Sequence, residues 1–119
     1  MKALLITVAN LTMSIPCETC DLDWARKHLD CEYIEIVRPV GLPRKFVMLI
    51  DEEGKLKEHY INPICSKLYG YDKHGDYIAG NALIVKEERI NGEPDLCGMD
   101  DGDLEELQNA ILKALKGGE

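Results

Sequence analysis

Basic residues and aromatic residues are both scarce in this chain of 119 residues. Only 14 lysines and arginines stand against 22 aspartates and glutamates, so the formal net charge is −8. That balance argues against direct nucleic-acid binding, because phosphate backbones demand a basic surface. One Trp, one Phe and five Tyr leave aliphatic side chains to build most of the core. No run approaches the ~20 apolar residues of a membrane-spanning helix, so we expect no membrane partner.

The signatures of common enzymes are missing as well. The sequence has no P-loop, no Gly-x-Gly-x-x-Gly and no Ser-centred elbow. Its three histidines are far apart and carry no metal motif. No carboxylate stands in an apolar setting that would tune it as a general acid. We therefore expect a non-enzymatic protein with no catalytic residues, no cofactor and no metal site.

Five cysteines at irregular spacing make a poor disulfide framework. Cys17 and Cys20 form a Cys-x-x-Cys pair ahead of a predicted helix. A zinc site would need further ligands at a suitable spacing, and the acidic neighbours Asp21 and Asp23 disfavour a reactive thiolate. Structural or incidental thiols are the favoured interpretation, with a metal site and a redox site as the alternatives.

The first eight residues superficially resemble a signal peptide, because one lysine precedes an apolar run. Asn10 and Thr12 interrupt the run and no small-residue cleavage site follows. A first β-strand is the better interpretation, and we expect a cytoplasmic protein. The chain length fits one domain with one core over residues 1–119.

Apolar periodicity and turn residues predict a mixed fold. Strand patterns cover residues 2–8, 11–16, 31–38, 46–50 and 83–89, with short strands at 55–57 and 95–97. Helical patterns cover residues 21–30, 62–69 and 102–116. Because helices do not alternate regularly with strands, the sequence predicts an α+β domain with a mostly antiparallel sheet of about five to seven strands. Two or three helices accompany the sheet, and the C-terminal helix packs on it.

Two stretches gather the polar residues of a candidate ligand site. The loop at 38–45 is rich in Pro and Gly and carries three basic residues, which suit a phosphate or carboxylate. The region 60–81 collects tyrosines and small polar residues around the start of an apolar run at 83–85, and a tyrosine ring suits a nucleobase or sugar. A solvated loop and a plain surface are the alternatives. The candidate ligand-binding residues are Arg38, Arg44, Lys45, Asn62, Tyr71, Asp76, Tyr77 and Asn81.

Several segments together resemble a known family. They are residues 2–6, 32–37, 51–56, 62–63 and 76–85, and the last of these, ending in Ile-Ala-Gly-Asn-Ala-Leu-Ile-Val, is the most specific. The sequence resembles the small phage and bacterial domain-of-unknown-function family DUF3846, over most of the chain up to about residue 88. The resemblance implies an α+β domain carried by phages, plasmids and their hosts, and it implies no established catalytic residues. The Cys-x-x-Cys segment and the 38–45 loop look like additions to the commonest pattern.

Small phage and mobile-element proteins often act against host defence, and one route is to sequester a nucleotide-derived signal. We therefore expect a small-ligand binder, with the basic loop holding phosphates and a tyrosine stacking on a base. It would be a homo-oligomer with sites at subunit contacts, in the host cytoplasm if phage-encoded. The alternative is an acidic protein-interaction module or DNA mimic that inhibits a host protein. Its support is the net charge, with acids concentrated at 51–53, 87–88 and 93–106.

Overall fold

The computed structural model describes residues 1–71 and 75–116 of the chain. Within these ranges, six strands form one antiparallel sheet. Three helices in the same part of the chain pack against the two faces of this sheet. The strands are β1 (Lys2–Ile6), β2 (Thr12–Pro16), β3 (Ile34–Val37), β4 (Phe46–Asp51), β5 (Ala82–Ile90) and β6 (Glu93–Cys97). The helices are α1 (Leu22–Leu29), α2 (Pro63–Tyr69) and α3 (Asp101–Lys116).

Strand β5 is the centre of the sheet. The strand order is β2-β1-β5-β4-β3, and β6 also pairs with β5. In its first half, Leu83 lies between Leu5 of β1 and Leu49 of β4. In its second half, β5 has left β1 behind and forms a hairpin with β6, with Glu88 opposite Asp95. The long strand therefore has a buried half and an exposed half.

Alternation along the strands produces two apolar layers, because successive side chains point to opposite faces. Ile84 and Phe46 face α2 and α3 and contact the same cluster as Leu68 and Leu107. On the other face, a second cluster places Ala25 of α1 among strand residues. Those strand residues are Ala3, Val47, Leu49, Leu83 and Val85. Burying one such aliphatic side chain contributes roughly 1.5–3 kcal/mol, so these layers hold the helices to the sheet.

Local capping residues set the helix boundaries as the sequence predicts. The Asn62 side chain caps α2, Pro63 occupies its first turn, and Gly70 ends it with φ 101°. Asp21 caps α1 by accepting a hydrogen bond from the Trp24 N–H at 2.8 Å. The Asn91–Gly92 turn has φ angles of 54° and 81°, the positive pair that a type I′ hairpin requires.

The α+β prediction, the antiparallel sheet and the C-terminal helix packed on the strands are confirmed. The predicted edge strand at residues 55–57 is wrong, because this segment forms consecutive turns. The Lys57 N–H donates to the Glu53 carbonyl at 3.0 Å, and the His59 N–H donates to the Gly54 carbonyl at 3.0 Å. The Lys57 ammonium also reaches back to the carboxylate of Asp51, at 2.9 Å. This ion pair favours a turn over an extended strand.

Cys17 and Cys20 are joined by a disulfide between the end of β2 and the start of α1. Both residues are buried. The number and spacing of the cysteines did not predict this pairing. The Cα atoms of the two residues are 5.8 Å apart, a separation that disulfides commonly span. The bond fixes the corner where the chain leaves the sheet and enters α1.

Candidate anion-binding site

The loop at 38–45 joins β3 to β4 and is fixed from inside. The Gly41 N–H donates to the Leu68 carbonyl of α2 at 2.9 Å, and the Phe46 N–H donates to the Pro43 carbonyl at 3.1 Å. A Cβ at position 41 would lie 3.2 Å from the Leu68 carbonyl oxygen, so glycine suits this close approach. Leu42 is buried in the core. The loop therefore holds Arg38 and Arg44 at its two ends on a constrained backbone.

An open groove of about 670 Å³ lies between this loop and the exposed half of β5. Arginine side chains reach it from three places: the end of β3, the loop, and the end of β5. One carboxylate, from β5, lies among them, and the remaining wall is mostly apolar. The lining residues are Arg38, Pro39, Val40, Leu42, Arg44, Phe46, Glu87 and Arg89. We call this cavity the arginine groove.

The three arginines of the groove differ in their partners. Nη2 of Arg38 donates to Oε2 of Glu87 at 2.8 Å. This hydrogen bond raises the pKa of Arg38 and lowers the pKa of Glu87. An Arg89 Nη1 donates to the Gly92 carbonyl at 2.9 Å, inside its own hairpin. Arg44 is exposed and makes no hydrogen bond or ion pair with any residue of the ranges 1–71 and 75–116. The groove thus holds a cation that is free for a ligand.

The groove exists because β5 extends beyond β4. The last pair between the two strands is Phe46 with Lys86, and the Glu87 N–H then donates to the Lys45 carbonyl at 2.7 Å. N–H groups two residues apart along a strand point the same way, so the Arg89 N–H faces the groove. A backbone donor therefore joins the arginine side chains at the groove.

The DUF3846 family model, described as a domain of unknown function, matches residues 1–113. The chain belongs to this family. The resemblance seen in the sequence segments is thereby confirmed, and the match extends past residue 88 into α3. No curated protein and no solved structure matches the chain.

Lys45 of this DUF3846 chain lies apart from the arginine groove. Its ammonium contacts the start of α3, at 3.3 Å from Asp103 Oδ1 and 2.7 Å from Glu106 Oε1. It also lies 5.4 Å from the centre of the Phe46 ring, within the range of a cation–π contact. The hydrogen bond to Glu106 raises the pKa of Lys45. The basic residues of the loop are thus divided between the groove and a helix.

The tyrosine region of the DUF3846 chain borders two other cavities. A small one, of about 130 Å³, is lined by Tyr77 and Asp76 together with Lys55. There Lys55 pairs with Asp76, and its ammonium lies 4.6 Å from the centre of the Tyr77 ring. The other, of about 530 Å³, lies between Tyr71 and Tyr77 and is mostly apolar. Neither cavity has an arginine among its lining residues, so the structure does not bring the predicted tyrosines to the predicted arginines.

The two asparagines of the predicted site hold the fold together. Asn62 is fully buried. Its Nδ2 donates to the carbonyls of Ile6 and Gly80, each at 3.0 Å, and its Oδ1 accepts from the Cys65 N–H at 3.0 Å. Asn81 is exposed, and its Oδ1 accepts from the Val8 N–H at 3.0 Å. Asn62 has no polar atom left for a ligand.

Sequence reasoning missed Glu87 and Arg89 as members of the site. Both stand in a stretch of charges that the sequence indicated as the outer part of a strand. Their spacing of two does place them on one face of that strand. The missing information was which loop would lie beside that face, because the pairing of β5 with β4 joins residues about forty positions apart.

Two other kinds of structural feature, a cluster of metal ligands and a membrane-spanning helix, are absent from the described ranges. No group of three or more His, Cys, Asp or Glu side chains there is arranged to hold a metal ion. No helix there has the length and apolar character needed to cross a membrane.

Proposed function

We propose that this domain binds a small phosphorylated ligand in the arginine groove without transforming it. The observation that carries the proposal is the convergence of Arg38, Arg44 and Arg89 on one groove, with Arg44 unpaired among the described residues. Glu87 is the one carboxylate among the lining residues, so the groove keeps an excess of positive charge in a chain with a formal net charge of −8.

The chemistry of the groove favours phosphate over other anions. A guanidinium presents paired N–H donors that match two oxygens of a phosphate, and the Arg89 N–H adds a fixed donor of the kind found in phosphate sites. The volume of about 670 Å³ falls within the ~300–1,000 Å³ range of ligand pockets.

The apolar wall of the groove suits the uncharged part of such a ligand. Val40 is exposed at the groove, while Leu42 and Phe46 close it from the core side. A nucleobase or sugar ring placed there would remove this apolar surface from water, at a gain of roughly 25 cal/mol per Å². Nucleotide-derived compounds combine both halves, so they are the ligand class that we propose.

In this proposal the biological role is sequestration of a nucleotide-derived signal of host defence. It follows from the phage and mobile-element character expected for the family and from a groove that holds anion donors but no catalytic constellation that we recognise. The protein would act in the cytoplasm, where such signals are made. Ligand sites at contacts between identical subunits stay a prediction, which native mass spectrometry of the same samples tests through the protein-to-ligand ratio.

The acidic-module alternative has less support. Of the acids on which it depends, Asp51 is buried beneath Lys57 and Glu87 is held by Arg38. Asp103 pairs with both Lys45 and Lys86. A DNA mimic needs rows of unpaired carboxylates that replace phosphates, and these carboxylates are already neutralised by neighbouring cations.

The test is isothermal calorimetry against cyclic nucleotides, nucleoside monophosphates and ADP-ribose derivatives. We expect at least one of them to bind, and Arg44→Ala to weaken that binding by about tenfold or more, because it removes a charge-assisted contact. The matched control is Lys27→Ala, which removes one exposed cation on α1 that does not line the groove, and should change the affinity by less than about twofold. Absence of binding to the whole panel, or an equal loss in both variants, would contradict the proposal.

A further inference from the structure

We infer that Glu87 is an internal competitor for the ligand: its carboxylate occupies Arg38 in the empty groove, and the ligand's phosphate takes its place on binding. The inference rests on the proposed function, since it assigns a selecting role to a residue of the same groove. It concerns which anions the groove accepts.

The first observation is the asymmetry of the ion pair between Arg38 and Glu87. The two atoms in contact are 2.8 Å apart, but the Arg38 side chain is 60% exposed and the Glu87 side chain only 19%. The backbone of Glu87 is also held, through its N–H bond to the Lys45 carbonyl. The carboxylate is therefore the fixed partner, and the guanidinium is the partner that is able to turn toward a ligand.

The second observation is that Glu87 has another cation close by. Arg89 follows two residues later on the same face of β5. The hydrogen bond from Arg38 is the largest cause of the lowered pKa of Glu87, and the positive charge of Arg89 is a smaller one. When Arg38 turns to a ligand, Arg89 is placed to exchange its contact with the Gly92 carbonyl for the carboxylate. Glu87 then keeps a counter-ion and does not repel the ligand with a full charge.

This exchange discriminates between ligands by their charge. Replacing a carboxylate on Arg38 with a phosphodiester exchanges one negative charge for another and gains little. A terminal phosphate carries close to two negative charges at neutral pH, so its attraction to Arg38 and Arg44 exceeds that of the displaced carboxylate. The groove should thus favour ligands with a terminal phosphate over cyclic monoanions. Neutralising Glu87 should remove part of this preference.

The experiment compares AMP and 3′,5′-cyclic AMP as probes by NMR titration, which detects weak binding. The variant is Glu87→Gln, which keeps the shape of the side chain and removes its charge. We expect its affinity for cyclic AMP to rise by about fivefold or more, and its affinity for AMP to rise less. The reason is that in the wild type the dianion of AMP already displaces the Glu87 carboxylate, whereas the monoanion gains little by displacing it. The control is Glu88→Gln, which removes the neighbouring exposed carboxylate that pairs with Lys86 and should change either affinity by less than about twofold.

A double-mutant cycle with Arg38→Ala separates competition from plain repulsion. If Glu87 acts by occupying Arg38, the gain from Glu87→Gln largely disappears in the Arg38→Ala background. An equal gain in both backgrounds would overturn the inference in favour of simple repulsion. Binding that Arg44→Ala weakens but Glu87→Gln does not strengthen would overturn the inference alone. Absence of binding by the wild type and by Glu87→Gln would overturn the proposed function together with it.

Discussion

The arginine groove and the buried polar junction around Asn62 show two opposite uses of polar side chains. In the junction, Asn62 and Ser66 direct all their hydrogen bonds inward, to backbone groups of β1, α2 and the segment before β5. In the groove, guanidinium groups end at solvent and one of them has no partner among the described residues. Both regions supplied residues to the same predicted ligand site. The two regions differ in how many of their polar side chains already have hydrogen-bond partners, and not in the types of residue that they contain.

The junction also explains why residues 78–80 lie where they do. The Ile78 N–H donates to Ser66 Oγ at 2.9 Å, and the Asn62 N–H donates to the Ile78 carbonyl at 2.8 Å. Together with the Gly80 carbonyl on the Asn62 amide, these bonds align the chain just before β5 enters the sheet. The buried Asn62 amide stabilises the fold, because removing it would leave each of its hydrogen-bond partners unsatisfied.

The largest effect on stability should come from Asn62→Ala. The change removes the cap of α2 and leaves the carbonyls of Ile6 and Gly80 without their donor, so we expect a loss of about 3–5 kcal/mol in the free energy of unfolding. Urea denaturation followed by circular dichroism measures it. Asn81→Ala, the control, loses one exposed hydrogen bond and should cost about 0.5–1 kcal/mol. Similar losses in the two variants would erase the contrast between a buried and an exposed asparagine.

An intermediate effect should appear in acid, at the cluster that joins Lys45 and Lys86 to α3. The hydrogen bond from Lys86 lowers the pKa of Asp103 to about 2, against 3.8 for the ordinary group. A lowered pKa means that the unfolded chain binds the proton more readily, so the stabilisation is complete above about pH 4 and is lost as the pH falls toward 2. The Asp103→Asn variant lacks the ionisable group, so its free energy of unfolding should fall less than that of the wild type as the pH is lowered.

Urea midpoints at about pH 5 and about pH 2.5 check this prediction, since they lie above and below the ordinary aspartate pKa, at which the stabilisation begins to be lost. Asp95→Asn is the matched control, because Asp95 is an exposed carboxylate of β6 with no ion pair in the described ranges. If both variants lose stability in acid as steeply as the wild type, the cluster does not stabilise the fold through Asp103.

The smallest effect on stability should belong to the groove itself. Arg44→Ala should shift the free energy of unfolding by no more than about 0.5 kcal/mol, because the side chain makes no hydrogen bond or ion pair with a described residue. Lys45→Ala, one residue away, breaks the contacts with Asp103 and Glu106 and should cost up to about 1 kcal/mol. Urea denaturation compares the two, and calorimetry should show the reverse order for ligand binding. A larger loss of stability from Arg44→Ala would mean that the groove serves folding.

The elements were predictable wherever short-range geometry decides them. Asn62-Pro63 at one end and Gly70 at the other define α2 through capping alone, and Asn91–Gly92 defines the hairpin through positive φ angles. The order of the strands was not predictable in this way, because β5 inserts between β1 and β4 through contacts distant in sequence. At residues 55–57 a long-range partner, Asp51, decided for a turn against the local strand pattern.

The site was predictable only in part, for the same reason. Arg38 and Arg44 could be grouped from the sequence because one loop carries both. Lys45 looked equivalent to Arg44, but its carboxylate partners come from α3, about sixty residues later. Arg89 entered the groove only through the register of β5. Local pattern identified the basic loop, and tertiary pairing decided which of its charges stay available.

The exposed half of β5 has a consequence for how such a domain diversifies. Its residues 87–90 extend past the layers that hold the helices, so their side chains take little part in the core. A substitution there alters what the groove presents while the buried half of the strand still specifies the fold. Substitutions along this strand end therefore change the chemistry of the groove at little cost to the stability of the domain.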